Sequence, residues 1–274
     1  MERKKSKKKI VITVIAVLIL AFILLNIVLL GAMGGAGPFA FIKKNKLKNH
    51  PGNAQAYHLE SVEVKEDSPL KGKSLCFLGS SVTLGAQSLD VSFADYIGKK
   101  DGCNYVKEAV SGTTLVDSGS NSYIQRMKNN ISKDEKFDAF ICQLSTNDAS
   151  KKKELGTISS SENLEDFDTS TVIGAMEYII VYARQTWDCP VIFYTGTKYD
   201  SEMYQQMVDA LLKLQEKYDI GVIDLWNDAE MNAVSDEDYE LYMADSIHPT
   251  QAGYRDWWTP KMEEYLYSYL ADQK

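Results

Sequence analysis

Histidine is the scarcest acid–base residue in this sequence, with three in 274 residues: His50, His58 and His248. Cysteine is nearly as rare. Cys76, Cys103, Cys142 and Cys189 show neither CxxC nor any other metal-ligand spacing, so zinc ribbons and thioredoxin-like redox centres have no support. Cys76 and Cys142 fall inside apolar runs and read as small core hydrophobes; an even count in an exported domain leaves a disulfide open. There is no P-loop and no strand-linked G-x-G-x-x-G, so nucleotide binding lacks its signature. Internal repeats are absent. Charged residues make up only 25% of the chain and aromatics 11%, which excludes a disordered composition.

Beyond the start of the chain, basic residues are outnumbered by acidic ones. Arg3, Lys4, Lys5, Lys7, Lys8 and Lys9 form a run offset only by Glu2. Without residues 1–9, Lys+Arg falls from 30 to 24 and Asp+Glu from 38 to 37, leaving −13. Such a charge argues against nucleic acid as a partner.

Ile10–Leu30 contains no charged residue, and Thr13 and Asn26 are its only polar side chains. At about 1.5 Å per residue, a helix of this length spans about 30 Å of hydrocarbon. The apolar stretch of a secretory signal is shorter, about 7–15 residues. Length therefore favours a retained anchor, while the small residues of Gly31–Gly37 leave signal cleavage open. The basic run before the span predicts a cytoplasmic N-terminus and an extracytoplasmic remainder. The expected organisation is a basic tail (1–9), a single-pass cell-membrane anchor (10–30), a connector (31–70) and a catalytic domain (71–274). Val62 and Val64, alternating with charged residues, read as a short edge strand in the connector.

From Lys71 the pattern changes to short runs rich in Val, Ile and Phe alternating with longer helical stretches. Strands are expected at Ser74–Gly79, Tyr105–Val110, Ala139–Leu144, Val191–Thr195 and Gly221–Leu225. Helices are expected at Phe93–Lys100, Ser122–Asn130, Thr171–Trp187, Met203–Tyr218 and Thr259–Leu270. This alternation predicts an α/β fold, a three-layer α/β/α sandwich around a parallel sheet of about five strands. The acidic Ser159–Asp168 segment reads as a solvated loop. In open parallel sheets, sites collect at the carboxyl ends of the strands, so the residues just after each strand carry the functional information.

Four such places stand out: Gly79-Ser80-Ser81, Ser111-Gly112, Ser145-Thr146-Asn147-Asp148 and Asp245-Ser246-Ile247-His248-Pro249. Acyl transfer needs a serine, a base to take its proton, a carboxylate to orient the base, and donors facing the developing oxyanion. His248 is the one imidazole in the strand–helix region, and Asp245, three residues earlier, can reach it from the same turn. Ser81 follows a buried strand and precedes a glycine-containing turn. Backbone N–H groups at Ser81 and Gly112 and the neutral Asn147 amide are candidate oxyanion donors. Asp148 reads as a structural hydrogen-bonding group after the strand. Trp257 and Trp258 read as packing of the final helix rather than a platform for a sugar.

These four blocks, in this order, resemble the SGNH/GDSL hydrolases over about Lys71 to the C-terminus. Gly79-Ser80-Ser81 is similar to the family's Gly-Asp-Ser block, Gly112 to its second block, Ser145-Thr146-Asn147-Asp148 to Gly-x-Asn-Asp, and Asp245-x-x-His248-Pro249 to its last. The resemblance implies a flavodoxin-like SGNH fold, Ser81 as nucleophile with Asp245 and His248 completing the triad, and Ser81, Gly112 and Asn147 forming the oxyanion hole. Neither metal nor cofactor is expected. Two departures stand out: Ser80 occupies the position of the family's Asp, and Ser145 replaces Gly, adding bulk beside Asn147. The G-x-S-x-G elbow of α/β-hydrolases is not matched, because Thr83 stands at its second glycine. The expected activity is hydrolysis of short acyl esters, acetyl foremost, on a partner such as an acylated glycan. An O-acyltransferase with the same triad, a lipase or lysophospholipase, and a non-catalytic surface binding protein are the alternatives. The motifs do not specify an oligomeric state.

Overall fold

The computed structural model describes residues 2–35 and 37–272. The chain divides into two compact units, one ending at His50 and one beginning at Pro51. The first contains helix α1 (Glu2–Leu29), a π turn (Leu30–Gly34), a 3-10 turn (Gly37–Phe39) and helix α2 (Ala40–Lys48). Within it, Ile10–Ala32 is a 23-residue stretch, long and apolar enough to cross a membrane, with an 18-residue window of mean hydropathy 3.2 in which no residue is buried. α2 lies in the stretch read from sequence as a connector.

The second unit is built on a parallel five-stranded sheet: β1 (Ser74–Gly79), β2 (Asn104–Ala109), β3 (Ala139–Gln143), β4 (Val191–Tyr194) and β5 (Gly221–Ile223), in spatial order β2-β1-β3-β4-β5. Successive strand residues point to opposite faces, and the core divides accordingly. Leu75, Phe77, Ala139, Ile141, Ile192 and Tyr194 face a cluster completed by helices α4 (Phe93–Asp101) and α10 (Thr259–Asp272). Cys76, Leu78, Phe140, Cys142, Val191 and Phe193 face one completed by α5 (Tyr123–Asn130), α7 (Val172–Trp187) and α8 (Glu202–Tyr218). This is the expected α/β/α sandwich. Each fully buried Phe or Leu contributes about 1.5–3 kcal/mol of transfer free energy. All four cysteines are buried and free, so they serve as core hydrophobes.

Local chemistry sets the helix boundaries. α4 begins with a reciprocal capping box between Ser92 and Asp95, and α7 with the Thr171 hydroxyl accepting from the Gly174 N–H. Val62–Val64 is not the expected edge strand. It follows a 3-10 turn at Leu59–Ser61; Val62 packs against the α4/α10 core, Val64 is exposed, and the next N–H, of Lys65, donates to the Lys100 carbonyl at the end of α4. No sheet edge therefore receives the segment.

The loop before α7 is exposed but fastened. Buried Glu177 accepts from the Ser159 N–H, and Lys217 on α8 donates to the Ser159 and Ser161 carbonyls and to Glu177. The Val172 and Ile173 N–H groups reach back to the Glu154 and Leu155 carbonyls.

Candidate active site

The candidate residues come together at the carboxyl edge of the sheet. β1 ends at Gly79, and the chain turns into the one-turn helix α3 (Ser81–Leu84). A Cβ at Gly79 would lie 1.7 Å from Thr83 Oγ1, so glycine is required for the turn to close this tightly. Ser81 opens α3 with its Oγ 2.7 Å from His248 Nε2. On the other side of the ring, His248 Nδ1 lies 2.8 and 2.9 Å from the two Asp245 oxygens. A proton on Nδ1 satisfies that carboxylate and leaves Nε2 as an acceptor facing the serine, the tautomer a general base needs.

Asp245 also builds the loop that carries the histidine. Its Oδ1 accepts from the Ile247 and His248 N–H groups, each at 2.9 Å. An isolated antiparallel bridge between Met243 and Pro249, with Ala244 N–H donating to the His248 carbonyl, closes the loop. Burial pushes the Asp245 carboxyl upward, but the His248 hydrogen bond and charge and the two backbone donors outweigh it and hold it at about 2. Asp245 is therefore ionised throughout the neutral range.

Gly112 sits in the loop after β2 with φ +79°, a conformation L side chains rarely adopt. Among the described residues, neither the Gly112 nor the Ser81 backbone N–H donates to a protein acceptor. Asn147 lies in the short helix α6 (Thr146–Ser150) that follows β3. Its Nδ2 donates to Ser80 Oγ at 3.1 Å and to the Thr113 carbonyl at 3.0 Å, which ties the first three blocks together. Asp148 is buried, and its two oxygens accept from the Leu115 and Val116 N–H groups at 2.8 and 3.1 Å. It anchors the loop that carries Gly112. Burial pushes its carboxyl upward, with these hydrogen bonds acting in the opposite sense.

Ser145 does not stand in the site as a bulky wall. It is fully buried, and its hydroxyl caps α6 by accepting from the Asn147 N–H while donating to the Thr113 carbonyl. Trp258 is buried in the core, and Trp257 stacks on Tyr242 at 5.8 Å. The sequence motifs do not point to Gln143. Its buried Oε1 accepts from the Ser80 N–H at 2.9 Å and from the Thr83 hydroxyl at 2.8 Å, bracing the turn that presents Ser81. Only its place as the last residue of β3, beside β1, could have flagged it. Next to Gly112, an open polar hollow of about 300 Å³ is bordered by Ser111, Thr114, Ser122 and Lys151.

This fold and this Ser–His–Asp arrangement define the class of the protein as an α/β serine hydrolase. The model of the GDSL-like Lipase/Acylhydrolase family matches residues 77–255, and the chain belongs to that family, whose members hydrolyse esters. Solved structures share the fold. A protein from Lactobacillus plantarum superposes with a TM-score of 0.60 at 20% identity, covering 74% of this chain and 99% of its own. The acetyl xylan esterase AlAXEase gives 0.50 at 15% identity, covering 70% and 98%. A family two carbohydrate esterase from Clostridium thermocellum, in complex with cellohexaose, gives 0.51 at 13% identity, covering 77% and 66%. A search among curated protein sequences finds no significant match.

Proposed function

We propose that the protein is a membrane-anchored, extracytoplasmic esterase that removes short acyl groups, acetyl foremost, from a glycan through an acyl-enzyme on Ser81. The observation that carries this reading is the continuous relay from Ser81 Oγ through His248 to Asp245, at 2.7 and 2.8 Å. In the first half-reaction Ser81 Oγ attacks the ester carbonyl carbon while His248 Nε2 takes its proton. The carbonyl oxygen becomes an oxyanion received by the Ser81 and Gly112 N–H groups. Asn147 adds a third donor by yielding its 3.1 Å bond to Ser80 Oγ. The C–O bond to the alcohol then breaks, and the alcohol leaves with the proton held by His248. In the second half, water attacks the acyl-enzyme, His248 takes its proton, and the acid departs as Ser81 recovers its hydrogen.

Two features support a short acyl group and a polar carrier. The hollow beside Gly112 is bordered mainly by serines and threonines and is not the long apolar trough that an extended acyl chain needs, at roughly 0.8 kcal/mol per buried CH₂. The two carbohydrate esterases that share the fold make acylated glycans the substrate class to test first. Anchoring is supported by the exposed apolar Ile10–Ala32 stretch and the six basic residues that precede it. The membrane part is tested by retention in the membrane fraction through a high-salt wash, with the catalytic unit open to protease on intact cells.

The chemistry is tested by active-site labelling with a serine phosphonate. Ser81→Ala should abolish labelling and turnover, whereas Ser80→Ala should keep both at a measurable level; normal labelling of Ser81→Ala overturns the assignment. The acyl preference is tested by kcat/KM across aryl acetate, butyrate, octanoate and palmitate. A steady rise toward octanoate would instead make the protein a lipase or lysophospholipase.

A further inference from the structure

Arg126 on α5 is 2% exposed, and every N–H of its guanidinium has an acceptor. Nη2 donates to the Gly79 carbonyl at 2.7 Å and to Thr113 Oγ1 at 3.0 Å. Nη1 donates to the Glu108 carbonyl and to Glu108 Oε1, both at 3.0 Å, and Nε donates to the Asn121 carbonyl at 3.1 Å. A guanidinium has five donors in a rigid plane, and here all five are used. The Glu108 carboxylate compensates the buried charge, and the Tyr123 ring lies 5.2 Å from the guanidinium carbon.

The acceptors are what give this cation a functional role. Gly79 is the last residue of β1, two positions before Ser81. Thr113 follows Gly112 directly, and its carbonyl holds the Asn147 amide. One side of the fork, Nη2, therefore bonds both the turn that carries the Ser81 N–H and the loop that carries the Gly112 N–H. Its other bonds fix it to the end of β2 and to the loop before α5. The spacing between the two backbone donors is consequently referred to a single planar group.

We propose that Arg126 is a positioning residue that sets the separation of the Ser81 and Gly112 N–H donors; the proposal rests on the esterase reading above. A lysine would bring the same charge but only three donors around one nitrogen, and cannot reproduce the planar fork. Misplacement by about 1 Å in such a constellation costs on the order of 10²-fold in rate.

The experiment compares wild type with Arg126→Lys in the full-length protein. Active sites are titrated with a phosphonate, kcat and KM are measured per titrated site on aryl acetate, and the Ki of an aryl boronic acid is determined. The boronate forms a tetrahedral adduct on serine that places an oxygen in the oxyanion hole. The expected result is a fall in kcat per titrated site of about 10²-fold with KM changed less than about twofold, and a boronate Ki raised by a similar factor. A merely structural role would lower the fraction of titratable sites and leave kcat per site within about threefold of wild type. That outcome overturns the proposal. If Arg126→Lys does not fold, Thr113→Val removes one acceptor of the fork and should lower kcat per site by about threefold or more; an unchanged kcat overturns the proposal equally. Failure of the esterase reading itself would look different, because wild-type protein would then not be labelled at Ser81.

Discussion

Changing Asp245 to Asn separates two jobs that one carboxylate performs. Its Oδ1 holds the Ile247 and His248 N–H groups at 2.9 Å, and both oxygens face His248 Nδ1 at 2.8 and 2.9 Å. An amide oxygen can keep the two backbone bonds, so the loop should stay closed and the Tm within about 2 °C of wild type. The amide nitrogen then faces Nδ1 with donor hydrogens, which drives the imidazole proton to Nε2. Nε2 becomes a donor toward Ser81 and cannot take its proton. In well-buried serine triads this change costs about 10⁴-fold in kcat. Here the Asp245 side chain is 43% exposed, so water can satisfy part of the exchanged group and relax the ring. The expected loss is therefore smaller, about 10²–10³-fold, or roughly 2.7–4 kcal/mol of barrier, with KM nearly unchanged. The assay is steady-state hydrolysis of an aryl acetate, with thermal unfolding measured in parallel. An Asp245→Asn protein that keeps more than about a tenth of wild-type kcat would refute the assignment of Asp245 as the orienting acid.

Two further outcomes concern stability. Asp148→Ala strips the acceptors from the Leu115 and Val116 N–H groups, and at about 1–3 kcal/mol per unsatisfied buried donor it should lower the Tm by roughly 5–15 °C; a Tm within 2 °C of wild type would show that the loop does not depend on it. At the α4–α10 contact, Glu263 Oε1 and Asp101 Oδ2 are buried and lack a conventional partner, while Lys100 binds the other Glu263 oxygen at 2.6 Å and Ser68 and Tyr267 bind the other Asp101 oxygen. Burial, and the Asp101 carboxylate beside it, raise Glu263 to about 7. The folded protein therefore keeps a proton that the unfolded chain has already lost. Its contribution is full below about pH 4.5 and disappears as pH rises through about 7, a loss on the order of 3 kcal/mol. Urea midpoints should fall between pH 5 and pH 8 in wild type and less so in Glu263→Gln, whose amide supplies that hydrogen at every pH; equal slopes would refute a shared proton.

The fold was legible in the sequence because the strands of a sheet covered on both faces are near-continuous apolar runs. Ser74–Gly79 ends in the glycine that the turn requires, so both of its boundaries could be read directly. Four short helices escaped: α2 in the stretch read as a connector, the one-turn α3 at Ser81, α6, and α9 (Asp236–Tyr242). α6 is a single turn capped by Ser145, and Asp236–Tyr242 is an acidic segment whose apolar residues do not form a stripe; Ser235 starts it by accepting from the Asp238 N–H. Val62 and Val64 alternate as a strand would, yet the alternation records only that one side chain is packed and the other wet. Within the candidate site, His248 could be found by elimination and Asp245 by its spacing. Gln143 and Arg126 could not, because the Ser80 and Gly79 backbone groups they brace lie 63 and 47 residues away and only the strand order brings them together.

The fastened loop before α7 bears on how this enzyme would respond to the physical state of its substrate. Lipases that open a hinged cover at an oil–water boundary accelerate sharply once the ester passes its solubility limit. Here the segment that could have served as a cover is tied down by Glu177 and Lys217 at three points of contact, two of them backbone carbonyls of its own serines, while Lys217 and Tyr218 in turn hold Glu177. Rate should therefore follow the concentration of dissolved ester through the onset of micelles without a break.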